Sequence, residues 1–298
     1  MEVEKVRQWS KLDKLRLLNA IDESDEYNEE HLKVLGVLLE DDDPEVRAGA
    51  AMVIWNYPEV HFIDKLFDLA LNDPSQEVRS QAIKTLGRYI YEGLSNEYEL
   101  FSTSDAADVF VPELPLEDFL RVKNFLINVF HNESLPLESR RCAVEALGFL
   151  SEPEVVEVIE KAYQHPDIQM KVSAIFAMGR SGLEKWEPII LRELQSEVYD
   201  IRYEAVKAAG EAVIENAVPY LIKIALSQEE DKSLRLEAIW SLGLIGGEEA
   251  GKVLKSLRED PDPDVREVAE AAWEECEIYK PIEDEWIDAL LEEFEEEE

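Results

Sequence analysis

A basic residue followed three positions later by alanine returns seven times along the chain: Arg47 with Ala50, Arg79 with Ala82, Arg140 with Ala143, Lys171 with Ala174, Arg202 with Ala205, Arg235 with Ala238 and Arg266 with Ala269. The steps between these anchors are 31 to 33 residues, except for one of 61 between Arg79 and Arg140. Such a period marks stacked supersecondary units, none of which can bury its apolar face alone. Residues one before the anchor (Val46, Val78, Met170, Ile201, Leu234, Val265), four after it (Ile83, Val144, Ile175, Val206, Ile239) and seven after it (Ile54, Leu86, Leu147, Met178, Leu242) fall with the alanine on one face of a helix. Asp43-Pro44, Asp73-Pro74 and Asp262-Pro263 read as N-caps with proline at the first helical position.

The alanine leaves room for a second helix, which precedes each anchor, as in residues 31–39, 119–130 and 250–257. The expected unit is therefore a two-helix hairpin. Eight residues after the anchor stands Gly87, Gly148, Gly179, Gly210 or Gly243, with Trp55 and Glu274 at the two ends, where capping units depart from the consensus. The anchor itself falls on the buried side, so a carboxylate from an adjacent turn or repeat is its expected partner.

The segments "VRSQAIKTLGR", "SRRCAVEALGFLSEPEVVEVI" and "LRLEAIWSLGLIGGEEAGKVL" resemble HEAT repeats of the short type found in phycobilisome-lyase-like proteins, over roughly residues 28 to 276. The resemblance implies an all-α fold, a right-handed α-solenoid of about seven two-helix repeats with capping helices at both ends. The first helix of each pair would line the convex side and the anchor-bearing helix the concave side. The expected organisation is one solenoid domain over 1–298, with an N-terminal cap at 1–27, repeats at 28–92, an irregular insertion at 93–115, repeats at 116–276 and an acidic C-terminal helix and tail at 277–298. The insertion explains the 61-residue step. Its Tyr98, Phe101 and Phe110 are too apolar for a solvated linker and are expected to contact the solenoid. Trp286, Leu290 and Phe294 recur at helical spacing in the tail, where an end cap and a detachable acidic motif both remain open.

The balance of 68 acidic and 30 basic residues gives −38, a field that repels nucleic acid and anionic lipid and attracts basic partners. Cys142 and Cys276 form no metal-binding spacing, and no apolar run is long enough to cross a bilayer. A cytoplasmic monomer without cofactor or metal is expected. His31, His61, His131 and His165 are followed by Leu, Phe, Asn and Pro, so the iron-ligating His-Glu pairs of HEAT-repeat deoxyhypusine hydroxylases are missing and no catalytic residue is assigned.

Two, five and nine residues after the anchors lies the face opposite the buried stripe: Cys142, Glu145 and Phe149, then Ser173, Phe176 and Arg180, then Glu204, Lys207 and Glu211, then Glu237, Trp240 and Leu244. Large rings among mixed charges have the composition of an interface. The candidate partner-binding residues are Phe149, Phe176, Arg180, Tyr203, Lys207, Trp240 and Leu244. The expected function is a non-enzymatic scaffold binding a basic protein segment. Chromophore handling in the manner of the bilin lyases and an assembly chaperone for a basic subunit stand as alternatives.

Overall fold

The structure is a computed structural model that describes residues 3–24, 28–101 and 114–278. The described residues hold fifteen α-helices and no strand. After α1 (Lys11–Asp22) come seven hairpins: α2 (Glu29–Leu38) with α3 (Pro44–Val53), α4 (Ile63–Asn72) with α5 (Gln76–Phe101), α6 (Leu116–His131) with α7 (Leu137–Leu147), α8 (Pro153–Tyr163) with α9 (Ile168–Ser181), α10 (Glu187–Glu193) with α11 (Tyr199–Glu211), α12 (Val218–Leu226) with α13 (Lys232–Ile245), and α14 (Glu248–Leu257) with α15 (Pro263–Ile278). Every anchor is the fourth residue of its helix. The fold is an all-α solenoid. It comprises two compact units, Met1–Ala177 and Met178–Glu298.

In the first unit α3 packs on α5 and α5 on α7; in the second α11 packs on α13 and α13 on α15. The layer of second helices is held at close quarters by small residues. All seven alanines after the anchors are fully buried. The glycine eight residues after an anchor meets the small residue six after the next one. A Cβ at Gly87 would lie 3.2 Å from Ala146 Cα, and one at Gly148 would lie 3.0 Å from Ala177 Cα. In the second unit the distances fall to 2.7 Å for Gly179 on Ala208 and 2.8 Å for Gly210 on Ser241 and for Gly243 on Ala272. No real Cβ fits there, so this row must be glycine. Where the facing residue carries a hydroxyl, it donates to the neighbouring helix: Thr85 Oγ1 to Ala51 O at 2.7 Å and Ser241 Oγ to Val206 O at 3.0 Å. Each thereby satisfies its own buried hydroxyl.

Charges tie the interhelical turns together. Arg47 makes a bidentate pair with Asp73 of the next hairpin, Nε to Oδ2 at 2.7 Å and Nη2 to Oδ1 at 2.9 Å, while its Nη1 donates to Asp41 O at 2.7 Å. Asp73 in turn offers its carbonyl to Arg79 Nη1 at 2.5 Å. The same relay recurs with Lys14, Asp41 and Arg47, and with Arg235, Asp260 and Arg266. The expected carboxylate partner is thus found for Arg47, Arg202 (with Glu230, 2.8 Å) and Arg235. Arg79, Arg140 and Arg266 instead donate to carbonyls where the preceding helix ends. Arg266, in the last hairpin, is exposed. A helix C-terminus presents unsatisfied carbonyls, and a guanidinium with five donors suits them.

Two local expectations are corrected. Asp43 and Asp262 cap their helices, but Asp73 closes α4 and belongs to the Arg47 pair; α5 begins three residues later, at Gln76. Helix α5 also runs ten residues past Tyr91 to Phe101, through a stretch expected to be irregular from residue 93. No proline interrupts the chain there, and Glu, Leu and Asn tolerate helix well enough to follow a nucleus already formed. The side chains of Tyr98 and Phe101, all of Phe110, and Trp286, Leu290 and Phe294 lie outside the described residues.

Gly210→Ala should destabilise the protein by about 1–3 kcal/mol, because backbone rather than a flexible side chain meets the new methyl. Gly251→Ala is the control: its Cβ meets only Cys276 Sγ at 3.6 Å, and relief of glycine's helix penalty should add up to ~1 kcal/mol. Calorimetric melting separates the two; equal melting temperatures would contradict the packing argument.

Burial opposes charge on Asp73, but the hydrogen bonds from Arg47 and the Ser75 backbone outweigh it and hold its pKa below the usual carboxylate range. A depressed folded pKa stabilises above the unfolded value of about 3.9 and loses that contribution as pH falls through the folded value. Asp73→Asn should therefore cost about 3 kcal/mol at neutral pH. The gap from the parent protein should close in acid once Asp73 is protonated in both states. Urea melts from neutral pH downward measure this.

Candidate functional site

In the Met178–Glu298 unit, helical spacing sets Tyr203, Lys207 and Glu211 in a row on α11, and Trp240 and Leu244 in a row on α13. The close approach of Gly210 to Ser241 brings the rows side by side. Arg180 joins them from the end of α9. An open concavity of about 590 Å³ lies here, lined by Arg180, Gly210, Glu211, Val213, Leu244 and Ile245. Trp240 is 38% exposed, Leu244 and Lys207 are half-buried, and Arg180 is exposed.

Glu211 is shared by two cations that stand off from it, Arg180 Nε at 3.5 Å and Lys207 Nζ at 3.8 Å. Tyr203 donates its hydroxyl to Glu237 Oε2 at 2.9 Å. Burial, with the carboxylate beside it, pushes the Tyr203 phenol up to about 12. Tyr203 is therefore a neutral donor already engaged. Glu211, Leu244 and Ile245 all belong to the last turns of their helices, whose carbonyl ends carry partial negative charge.

Val213 has φ 52°, in the left-handed region that a β-branched side chain resists. Eleven residues after Lys171, at the same place beyond α9, stands Gly182 (φ 57°), so glycine takes this left-handed turn there and valine takes it here, whereas Gly246, eleven after Arg235, turns differently (φ 71°, ψ −155°). The turn is fixed by Ile214, which is buried and donates its N–H to Ala209 O at 3.0 Å, closing a Schellman motif. A non-glycine residue at such a position costs about 1–3 kcal/mol. The Val213 side chain is 53% exposed on the wall of the concavity, so burial does not repay that cost.

The Met1–Ala177 unit carries a second group at equivalent helix positions. Phe149 is half-buried and meets Tyr91 edge to face, with centroids 5.5 Å apart. The Arg88 guanidinium lies 5.1 Å from the Tyr91 ring, and Phe176 is half-buried. Tyr91 and Arg88 were not among the expected residues, although Arg88 stands nine after its anchor, as Phe149 does. Cys142 and Ser173, expected on the open face, are buried. Ser173 is taken up by Glu145 (2.6 Å) and Arg141 (3.1 Å). Burial first, then the nearby Glu145, pushes the Cys142 thiol up to about 11. Two after the anchor, Cys142 and Ser173 thus face the neighbouring hairpin, while Glu204 and Glu237 at the same position stay half-buried.

Among the described residues no group of three or more His, Cys, Asp and Glu is placed to hold a metal ion, and no helix is long and apolar enough to cross a membrane. The family model for HEAT repeats matches residues 17–100 and 187–274, over half of the chain, and the protein belongs to this family. No curated protein matches the sequence. Among solved structures it is similar to yeast importin-beta (Kap95p), with 14% identity and TM-score 0.55 over 92% of this chain and 40% of that one. It is also similar to the CpcE–CpcF phycocyanin lyase complex of Nostoc sp. PCC7120, with 17% identity and TM-score 0.51 over 85% of this chain and 97% of the other. Kap95p bound to RanGDP gives 14% identity and TM-score 0.53 over 94% of this chain and 42% of that one. At these identities the likeness is one of fold.

Proposed function

We propose that the protein is a non-enzymatic scaffold that holds a basic protein segment against its second helices. In the Met178–Glu298 unit the segment contacts Arg180, Tyr203, Lys207, Trp240 and Leu244. In the Met1–Ala177 unit Phe149 and Phe176 supply a separate contact patch. The observation that carries this reading is Trp240, a large ring over a third exposed beside an open concavity with apolar and charged walls. Tryptophan and arginine are the residue types that most often dominate binding energy at such surfaces. The HEAT-repeat fold is consistent with a protein-binding role, as in Kap95p with RanGDP. The charge of −38 adds long-range attraction for a basic partner, screened by salt within about 10 Å at 0.1 M.

Affinity capture of binding proteins by the full chain, identified by mass spectrometry, should yield basic proteins released by raised salt. Trp240→Ala and Phe176→Ala should each cut recovery at least tenfold with the helical circular dichroism signal unchanged, since hot-spot truncation costs about 2 kcal/mol or more. Undiminished capture by both variants, or recovery of acidic proteins insensitive to salt, would reject the reading.

A further inference from the structure

We infer that Val213 is a specificity contact of the second unit's concavity, and that its occupant is an apolar side chain flanked by lysine or arginine. This rests on the scaffold reading and names the chemistry that one part of the surface selects.

Three observations converge. The first is the strained backbone. Gly182, at the equivalent turn after α9, shows which residue suits this backbone, and Val213 departs from it while remaining 53% exposed. Backbone strain that brings no burial points to a role outside folding. The second is shape: Val213, Leu244 and Ile245 make three apolar walls of one open concavity. They border an open space of about 590 Å³, large enough to receive a leucine or phenylalanine side chain.

The third is charge. The concavity opens at the C-terminal ends of α11 and α13, where the helix dipoles present negative potential. Just beyond these turns stand Glu215, Glu248 and Glu249, all exposed, and Glu184 holds the matching place after α9. Within the concavity Glu211 is held by Arg180 and Lys207 only at 3.5 and 3.8 Å, beyond ordinary hydrogen-bond length. A guanidinium or ammonium beside the apolar anchor would meet this rim. An acidic flank would meet helix C-termini and glutamates, with Arg180 the one cation of the lining, already beside Glu211, and Glu248 paired with Lys252.

The experiment uses the full chain and fluorescein-labelled nonapeptides read by anisotropy. One set places Leu or Phe between pairs of arginines, a second places the same residues between pairs of glutamates, and a third has Gly at the centre with arginine flanks. The arginine-flanked Leu or Phe peptides should bind saturably and weaken as salt rises; the other two sets should bind at least tenfold more weakly. Val213→Gly should raise the melting temperature by about 2 °C or more, because strain is relieved, while weakening the Leu peptide at least fivefold. Val213→Asn, which also suits left-handed backbone, should do the same. A purely structural valine would move the melt and leave binding alone.

Unchanged affinity in both Val213 variants overturns the inference, as does equal binding of glutamate-flanked peptides or no binding by any set at millimolar concentration. The scaffold reading fails separately, by undiminished partner capture in the Trp240 and Phe176 variants.

Discussion

The architecture depends on one steric fact, the contact of a glycine in five of the seven second helices with the backbone of the next. At 2.7–2.8 Å for a hypothetical Cβ, the second-unit contacts leave no room for any side chain. This proximity sets adjacent second helices in register, so that residues five and nine after each anchor form parallel rows. The concavity beside Leu244 and Glu211 lies where α11 ends: Gly210, in close contact with Ser241, and the turn at Val213 both line it. Ion pairs then hold the opposite end of the hairpins. Asp73 binds Arg47 from the hairpin before through its carboxylate and Arg79 of its own through its carbonyl.

Most of the fold was legible in the sequence because a hairpin's pattern is local and repeats. Anchor, alanine and apolar stripe all fell where helical spacing placed them. Relations between hairpins were less legible. The glycines could be counted, but the small residues they face, six after the next anchor, belong to another helix. Asp73-Pro74 has the same local form as Asp43-Pro44, yet its role differs because the Arg47 guanidinium reaches it from 26 residues upstream. Cys142 and Ser173 fall on the open face of an isolated helix and are covered only once the neighbouring hairpin is stacked.

For the candidate site, helical periodicity identified Arg180, Lys207, Trp240 and Leu244 because exposure on a helix follows spacing. It missed Val213 and Ile245, which sit at helix ends. The sequence carried only a partial signal for Val213: glycine stands eleven after Lys171 and Arg235 and valine eleven after Arg202, but Pro58, Ile90, Ser151 and Glu277 stand eleven after the other anchors. Its meaning required the backbone angle. The overall charge pointed to basic partners, and the site gives this a local form through helix C-termini and the glutamates following them. In the proposed role, global charge would accelerate encounter, while the apolar walls and Trp240 would discriminate among what arrives.

In the proposed role, partners engage the ends of the second helices rather than the first helices. Hydrogen–deuterium exchange of the full chain, with and without a captured basic partner, tests it most directly. Added protection is expected in the last turns of α11 and α13 and across the turn at Val213, with α12 and α14 unchanged. Protection confined to α12 and α14 would contradict it.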